Sequence, residues 1–335
     1  MLCQLIIKNL NNSSYTLLFS SIGHAFMHMF AAFYFVIVLT IEKEWNISYD
    51  QLIRLWTLGA LLIGLGAIPF GWLSDRWSRS GTMIIMFIGM GITSILCGLS
   101  TSIYYLFISL SLLGLFCSIY HPVGIPWVIN SANRQGRALG INGIFGGVGI
   151  GSGAFVAGTL TELLNWQLAF VLPGFISILI GFVLIYLIFI GKISYKNFFI
   201  GNNQQEHSRN EMILIASIML LSMFALGLSF HNTQTALPKV FEIRIGNINS
   251  IQIGFMIAII YFISGATTFV GGLLADRFNL KTIYLIGIFL QFPCYLGIAY
   301  ISGYSLVVLC ILAAVFNASI LPTEKPLTWQ IYTTK

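Results

Sequence analysis

Gly71-Trp72-Leu73-Ser74-Asp75-Arg76 ends one long apolar stretch of the chain, and Gly272-Leu273-Leu274-Ala275-Asp276-Arg277 ends another, 201 positions later. A second pair of motifs lies at the same offset, Asn46-Ile47-Ser48-Tyr49-Asp50-Gln51 and Asn247-Ile248-Asn249-Ser250-Ile251-Gln252. Two motifs that recur at one spacing indicate an internal repeat. The chain is therefore predicted to have two homologous halves.

The composition places both halves in a membrane. Of the 335 residues, 57% are hydrophobic and 8% are charged, and the mean hydropathy is +0.90. These values lie outside the range of soluble domains. A helix needs about 20 apolar residues to cross a bilayer. We predict an all-α membrane protein with ten such helices, called spans 1 to 10, at 15–41, 51–74, 82–100, 103–130, 138–161, 166–190, 212–238, 251–275, 282–301 and 303–323.

The second motif predicts a helix start in each half. Ser48 in the first copy and Asn249 in the second are expected to supply the N-cap oxygen. Gln51 and Gln252, three residues further on, are expected to reach back to the backbone N–H of the cap, as in a capping box. Spans 2 and 8 are therefore predicted to begin in the same way.

The positions of the basic residues predict the orientation in the membrane. Most of them lie at the N-terminus or in the even-numbered connections: Lys8, Arg76, Arg79, Arg134, Arg137, Lys192, Lys196, Arg209, Arg277 and Lys281. By the positive-inside rule, the N-terminus and the polar segment 191–211 are predicted to be cytoplasmic. The net charge of +6 then reflects topology. The sequence has no basic stripe that would track nucleic-acid phosphates, so no nucleic-acid partner is expected.

A Gly-x-Leu-x-Asp-Arg turn after spans 2 and 8, with a polar linker after span 6, resembles the major facilitator superfamily. The motif Ser118-Ile119-Tyr120-His121-Pro122 and the glycine-rich span 5 resemble its fosmidomycin-resistance-type branch. Val123 stands where drug exporters of that branch commonly have an acidic residue. The resemblance implies two six-helix bundles, related by inverted or parallel repeats, and secondary transport by alternating access. Spans 11 and 12 of that pattern are missing, which predicts a truncated gene product.

The resemblance also implies a domain organisation. Residues 1–190 are predicted to form an N-terminal six-helix bundle, 191–211 a cytoplasmic linker, and 212–335 an incomplete C-terminal bundle of four helices.

The duplicated turns have a role in that family as a cytoplasmic latch that breaks when the protein opens inward. A carboxylate at a helix junction can cap the following helix and pair with a nearby cation. The alternative is that the charges only set the topology. The predicted latch residues are Gly71, Asp75, Arg76, Arg79, Gly272, Asp276 and Arg277.

Polar side chains inside apolar spans are costly, so their positions indicate function. In this chain they concentrate in spans 1, 4, 7 and 10, which line the central pathway in the fold that the resemblance implies. The predicted substrate or proton pathway consists of His24, His28, Tyr120, His121, His231, Asn232, Gln234, Asn317 and Glu324.

His24 and His28 are four residues apart, so both side chains lie on one helix face. They could form a proton or substrate site, because histidine titrates near neutral pH, or they could only make interhelical hydrogen bonds. A metal site would be a third possibility. The zinc-protease pattern needs a Glu beside the first His, and the sequence shows no further His cluster. Neither a metal nor a cofactor is therefore predicted.

Three further features have a functional and a structural interpretation. Glu324 could carry the coupling proton, or it could belong to a frayed chain end. Pro122 predicts a kink in span 4, because it lacks a backbone donor. The glycines of span 5 predict close helix packing; a phosphate-binding loop would need a neighbouring Lys and Ser or Thr.

The sequence thus predicts a proton-coupled secondary transporter for a small polar or amphipathic organic solute, and not an enzyme. It is expected to be a monomer in the lipid bilayer of a bacterial plasma membrane. Two other classes stay open, a truncated membrane protein that does not transport, such as a sensor or decayed gene product, and an intramembrane metalloenzyme.

Overall fold

The computed structural model describes residues 12–132, 135–195, 209–275 and 278–333. Every predicted span coincides with helix. The helices are α1 (Asn12–Ala32), α2 (Tyr34–Trp45), α3 (Tyr49–Arg54), α4 (Thr57–Arg76), α5 (Arg79–Gly98), α6 (Ile103–Cys117), α7 (Tyr120–Ser131), α8 (Gln135–Leu163), α9 (Trp166–Phe189), α10 (Arg209–Ile245), α11 (Ser250–Ala275), α12 (Leu280–Tyr300) and α13 (Ser305–Thr333). Span 1 consists of α1 and α2, span 2 of α3 and α4, and span 4 of α6 and α7. The all-α membrane fold is confirmed.

Within the described residues, seven helical stretches are long and apolar enough to cross a membrane. They are Asn12–Trp45, Tyr49–Arg76, Arg79–Gly98, Ile103–Ser131, Arg137–Leu163, Trp166–Phe189 and Ser250–Thr268. Shorter apolar helices cover Leu285–Tyr300 and Ser305–Ser319. The chain is therefore a multi-pass membrane protein.

Helix α10 extends beyond the apolar stretch that predicted it. It begins at Arg209 and continues to Ile245, whereas the prediction ended at 238. Lys239 and Glu242 form an ion pair of 2.7 Å one turn apart, which stabilises a polar helical extension. Arg244 then donates to the backbone carbonyl of Ile298 at 2.6 Å. Hydropathy alone misses such an extension because its residues are charged.

The chain forms two compact units. The first contains Met1–Phe199 and Asn249–Ala258, and the second contains Ile200–Ile248 and Ile259–Lys335. Of the predicted linker, residues 196–208 lie outside the described part. The residues just before them are fixed to the start of α5, because Ser78 Oγ donates to the carbonyl of Tyr195 at 2.7 Å and Ser80 Oγ to that of Ser194 at 3.1 Å.

The two helix starts of the repeat agree in backbone and differ in capping. Asn46 and Asn247 both have positive φ, 52° and 48°, a conformation that Asn tolerates well. In the second copy the capping box is confirmed: Gln252 N–H donates to Asn249 Oδ1 at 2.9 Å, and Asn249 N–H donates to Gln252 Oε1 at 3.0 Å.

The predicted capping bond is wrong for the first copy. Ser48 occupies the N-cap position without a side-chain capping bond. Its hydroxyl bonds to the Asp50 carboxylate instead. The second copy has Ile251 at the position of Asp50 and so has no carboxylate there. The Ser48 hydroxyl thus donates to a carboxylate two residues away and does not accept from a backbone N–H as a cap would.

Two packing predictions about unit 1 are confirmed. Span 4 breaks between Cys117 and Tyr120, where Pro122 cannot donate to the carbonyl four residues before it. Helix α8 lies close to α1, because a Cβ at Gly149 would lie 2.3 Å from the carbonyl oxygen of Ala25 and one at Gly153 would lie 3.0 Å from Met29 Cα. These glycine contacts bring spans 1 and 5 together.

Candidate functional site

Three histidines from spans 1 and 4 lie side by side in unit 1. His24 and His28 are one turn apart on α1, with ring centroids 4.9 Å apart. His121, at the start of α7, has its ring centroid 5.6 Å from each of them. One ring nitrogen of each histidine lies within 4.8 Å of the other two. The fold thus supplies a third imidazole to the pair that the sequence spacing predicted.

A buried hydrogen-bond network supports this histidine cluster. The Tyr120 hydroxyl donates to Asn142 Oδ1 at 2.8 Å, and Asn142 Nδ2 donates to Ser20 Oγ at 3.2 Å. Ser20 Oγ in turn donates to the carbonyl of Gly124 at 3.0 Å. All three polar side chains are at most 2% exposed. The network joins spans 1, 4 and 5 and satisfies polar atoms that would be costly in an apolar interior.

The network also orients His24. Its Nδ1 lies 2.8 Å from the backbone carbonyl of Asn142. A carbonyl only accepts, so Nδ1 carries the hydrogen and, in the neutral ring, Nε2 keeps its lone pair. The ring stacks on Tyr120 with centroids 4.6 Å apart and planes at 12°. A Cβ at Gly146 would lie 2.8 Å from Cε1 of His24, so the absence of a side chain there makes room for the ring.

Sequence reasoning missed Asn142 and Ser20. It treated span 5 only as a packing surface because of its glycines. The signal that could have found Asn142 is the one applied to spans 1, 4, 7 and 10, a strongly polar side chain inside an apolar stretch.

The remaining predicted pathway residues lie in unit 2. His231 and Asn317 are partly exposed, Asn232 is exposed and Gln234 is buried. The backbone carbonyls of His231 and Asn232 both accept from the Thr235 hydroxyl, at 2.9 and 3.1 Å. The side chain of Glu324 lies outside the described part.

The first predicted latch contains an ion pair of unequal burial. Arg79 donates to Asp75 at 3.1 Å, with side chains 7% and 58% exposed. Asn130 on α7, with its amide oxygen turned toward the guanidinium, accepts from Arg79 at 3.2 Å. Sequence reasoning missed Asn130. The turn therefore ties spans 2, 3 and 4 together through one buried cation.

The helix cap at this turn differs from the prediction, and two further contacts involve predicted latch residues. The cap of α5 is Ser78, whose Oγ accepts from the N–H of Gly81 at 3.1 Å, and not Asp75 as predicted. Ser78 is adjacent to the helix and can reach its first turn. Arg76 lies over the Trp72 ring at 4.6 Å, and a Cβ at Gly71 would lie 3.2 Å from Pro122 Cβ.

The second predicted latch is less fully described. Asp276 and Arg277 lie outside the described residues, and Gly272 lies near the end of α11.

Comparison with known proteins agrees with this fold. A family model described as Major Facilitator Superfamily matches residues 20–330. An uncharacterized transporter of Buchnera aphidicola subsp. Schizaphis graminum is 22% identical over 295 residues, 85% of this chain and 70% of that protein. Riboflavin transporter RibZ of Clostridioides difficile is 29% identical over 150 residues, 44% of this chain and only 32% of that protein.

Two solved structures share the fold at low identity. A bacterial homolog of the human lysosomal transporter Spinster, inward-facing and unoccupied, superposes with a TM-score of 0.75 at 16% identity, covering 94% of this chain and 75% of that one. A D-xylose–proton symporter superposes with a TM-score of 0.65 at 14% identity, covering 94% and 81%. At these identities the likeness concerns the fold alone.

Proposed function

The chain belongs to the major facilitator superfamily, and from this premise we propose that it moves a small organic solute across a membrane by alternating access. It is a multi-pass membrane protein of a transporter family and not an enzyme. The matching relatives do not favour the alternative of a membrane protein that does not transport.

The observation that carries the proposal is the polar cluster of unit 1. His24, His28, His121 and Tyr120 converge where three apolar spans meet, and buried Asn142 bonds to His24 and Tyr120. Polar groups inside apolar spans are costly unless they face a cavity or one another. Imidazole and phenol rings offer both hydrogen bonds and flat apolar faces, which suits a small polar or amphipathic solute.

Several finer points are part of the proposal. Residues 1–190 and 212–335 are the two bundles and 191–211 their cytoplasmic linker, in a monomer in a bacterial plasma membrane. The two Asp-Arg turns act as latches, and the bonds of Arg79 to Asp75 and Asn130 support this role for the first turn.

A proton is the proposed coupling ion, by analogy with the D-xylose–proton symporter that shares the fold. His231, Asn232, Gln234, Asn317 and Glu324 stay predicted pathway residues, and the fosmidomycin-resistance-type branch stays a prediction.

The test is solute counterflow with the full chain in proteoliposomes. Riboflavin and D-xylose are the first solutes to load, because related or similarly folded proteins are named for them. We expect labelled solute to enter only vesicles that hold the unlabelled compound, and an imposed pH gradient to drive accumulation. His28→Ala and His121→Ala should weaken apparent affinity, whereas His207→Ala in the predicted linker should not.

Two results would contradict different parts of the proposal. Equal affinity in His28→Ala, His121→Ala and the unchanged chain would refute the site. Absence of counterflow across a panel of small polar and amphipathic solutes, with folded protein in the vesicles, would refute transport itself.

A further inference from the structure

We propose that His24, His28 and His121 bind one divalent transition-metal ion of the borderline class, such as Zn²⁺, Co²⁺ or Ni²⁺. The sequence predicted no metal because His24 and His28 lacked a third ligand nearby. Folding brings His121 from span 4 to this pair, so that one ring nitrogen of each residue lies within 4.8 Å of the others. The ion would bind to the same three histidines as the proposed solute site, but this inference is argued from their geometry alone and does not depend on the proposed solute.

The ring positions are close to those of a three-histidine site. Zn–N bonds of about 2.0–2.1 Å in a tetrahedral site separate the ligand nitrogens by about 3.3 Å. The three nitrogens therefore have to approach one another by at most about 1.5 Å. Rotation of the imidazoles about their side-chain torsions can supply this movement. Two histidines at i and i+4 on a helix already form one edge of such a site.

The surroundings of His24 are those of a metal ligand. A metal-binding imidazole almost always donates its second ring N–H to a carbonyl or carboxylate, which fixes the tautomer. His24 Nδ1 makes this bond to the carbonyl of Asn142 at 2.8 Å, so Nε2 is the nitrogen that can bind metal. Asn142 is itself fixed by Tyr120 and Ser20. The hydrogen bonds that would orient His24 as a ligand are therefore already formed in the fold.

The ligand set selects the class of ion. Imidazole nitrogens suit Zn²⁺, Co²⁺ and Ni²⁺, whereas Ca²⁺ and Mg²⁺ require oxygen ligands. The stretches 12–41, 103–131 and 137–161, which include the histidines and their supporting network, contain no Asp or Glu. Three neutral ligands leave the ion's charge uncompensated and a fourth position open. We expect that position to take water or an anionic donor from solution.

The experiment is a Co²⁺ and Zn²⁺ titration of the full chain, purified with an affinity tag that contains no histidine. We expect one ion per chain and a Co²⁺ ligand-field spectrum of tetrahedral intensity. Zn²⁺ should displace Co²⁺, and excess Mg²⁺ or Ca²⁺ should not. Replacing a supporting residue such as Tyr120 with Phe should weaken affinity by about 10-fold, since loss of such groups costs about 10–100-fold.

Ligand variants separate this site from adventitious binding. His28→Ala and His121→Ala should each weaken affinity by more than Tyr120→Phe does, while the matched controls His231→Ala and His207→Ala should bind as the unchanged chain. His121→Asn provides a second, polar variant, and thermal unfolding without metal should show that each variant is folded.

Two outcomes would overturn the proposal. One is a folded chain that binds less than one ion, and the other is binding that His231→Ala weakens as much as His121→Ala. Because the titration involves no transport, it can fail while solute counterflow succeeds, and the reverse also holds.

Discussion

The two halves of the chain share the backbone conformation at their helix starts and the sequence of their Asp-Arg turns, yet their interiors differ. In the first half, polar side chains of three spans bond to one another through Asn142. In the second half, Thr233 bonds within its own helix, to the carbonyl of Ser229 at 2.9 Å. Gln234 is 8% exposed, and its Nε2 has no hydrogen-bond partner among the described residues. The repeat thus preserves the motifs at the helix starts and turns, whereas the polar side chains inside the two halves and their hydrogen bonds differ.

The polar network of the first half requires that α8 packs closely on α1. A substitution that disrupts this packing should therefore cause the largest loss of stability. In Gly149→Leu the new side chain would meet the Ala25 backbone, where even a Cβ lies 2.3 Å from the carbonyl oxygen. We expect a loss of about 3 kcal/mol in the free energy of unfolding, at the upper end for overpacking. Denaturant unfolding in mixed micelles measures it.

The matched control in the second half is Gly227→Leu. No described atom lies within 4 Å of a Cβ at Gly227, so we expect no loss of stability. Equal losses in the two variants would mean that glycine packing does not distinguish the halves.

The next largest effect compares the buried polar side chains Asn142 in the first half and Gln234 in the second. Asn142→Leu removes the acceptor of Tyr120 and the donor to Ser20, and should cost about 2 kcal/mol because buried polar groups lose partners. Gln234→Leu removes a buried donor that has no partner among the described residues. It should be neutral or stabilising. The same unfolding measurement compares both, and a Gln234→Leu loss as large as that of Asn142→Leu would contradict the difference between the interiors.

Loss of the Arg79 bonds at the first Asp-Arg turn should cost less stability than loss of the Asn142 network. Arg79→Met removes the bonds to Asp75 and Asn130 and should cost about 1.5 kcal/mol, as hydrogen bonds to charged groups do. The matched control is Arg54→Met. Arg54 pairs with Asp50 at the same i,i+4 spacing, but both side chains are more than half exposed, so the loss should be below about 0.5 kcal/mol. Similar losses in the two would argue against a buried anchor at this turn.

The smallest expected loss of stability comes from the helix starts at Ser48 and Asn249, which differ in capping. Asn249→Ala removes a capping bond that is present and should cost about 1 kcal/mol. Ser48→Ala removes no capping bond and should cost less than about 0.5 kcal/mol. Thermal unfolding of the two variants in one detergent measures the difference, and the reverse order would contradict the observed capping.

Part of the candidate site could be predicted from the sequence, and part could not. His24, His28, Tyr120 and His121 stood out because a polar residue in an apolar span is costly wherever its partners lie. Asn142, Ser20 and Asn130 were missed, since their importance comes from the atoms that they contact. The capping of Ser48 was mispredicted because a motif does not state whether the side chain accepts from a backbone N–H or donates to the nearby Asp50 carboxylate.

The sequence by itself determined the all-α membrane fold, the repeat and the family. Membrane crossing depends on the hydropathy of about 20 successive residues, which is a local property. Only the tertiary structure decided that His24 meets Asn142, 118 positions away, and that His121 joins His24 and His28. These contacts depend on how closely spans 1, 4 and 5 approach, and Gly146 and Gly149 permit span 5 to come close to span 1. Helix packing is a property of surfaces from distant parts of the chain, so no single stretch of sequence contains it.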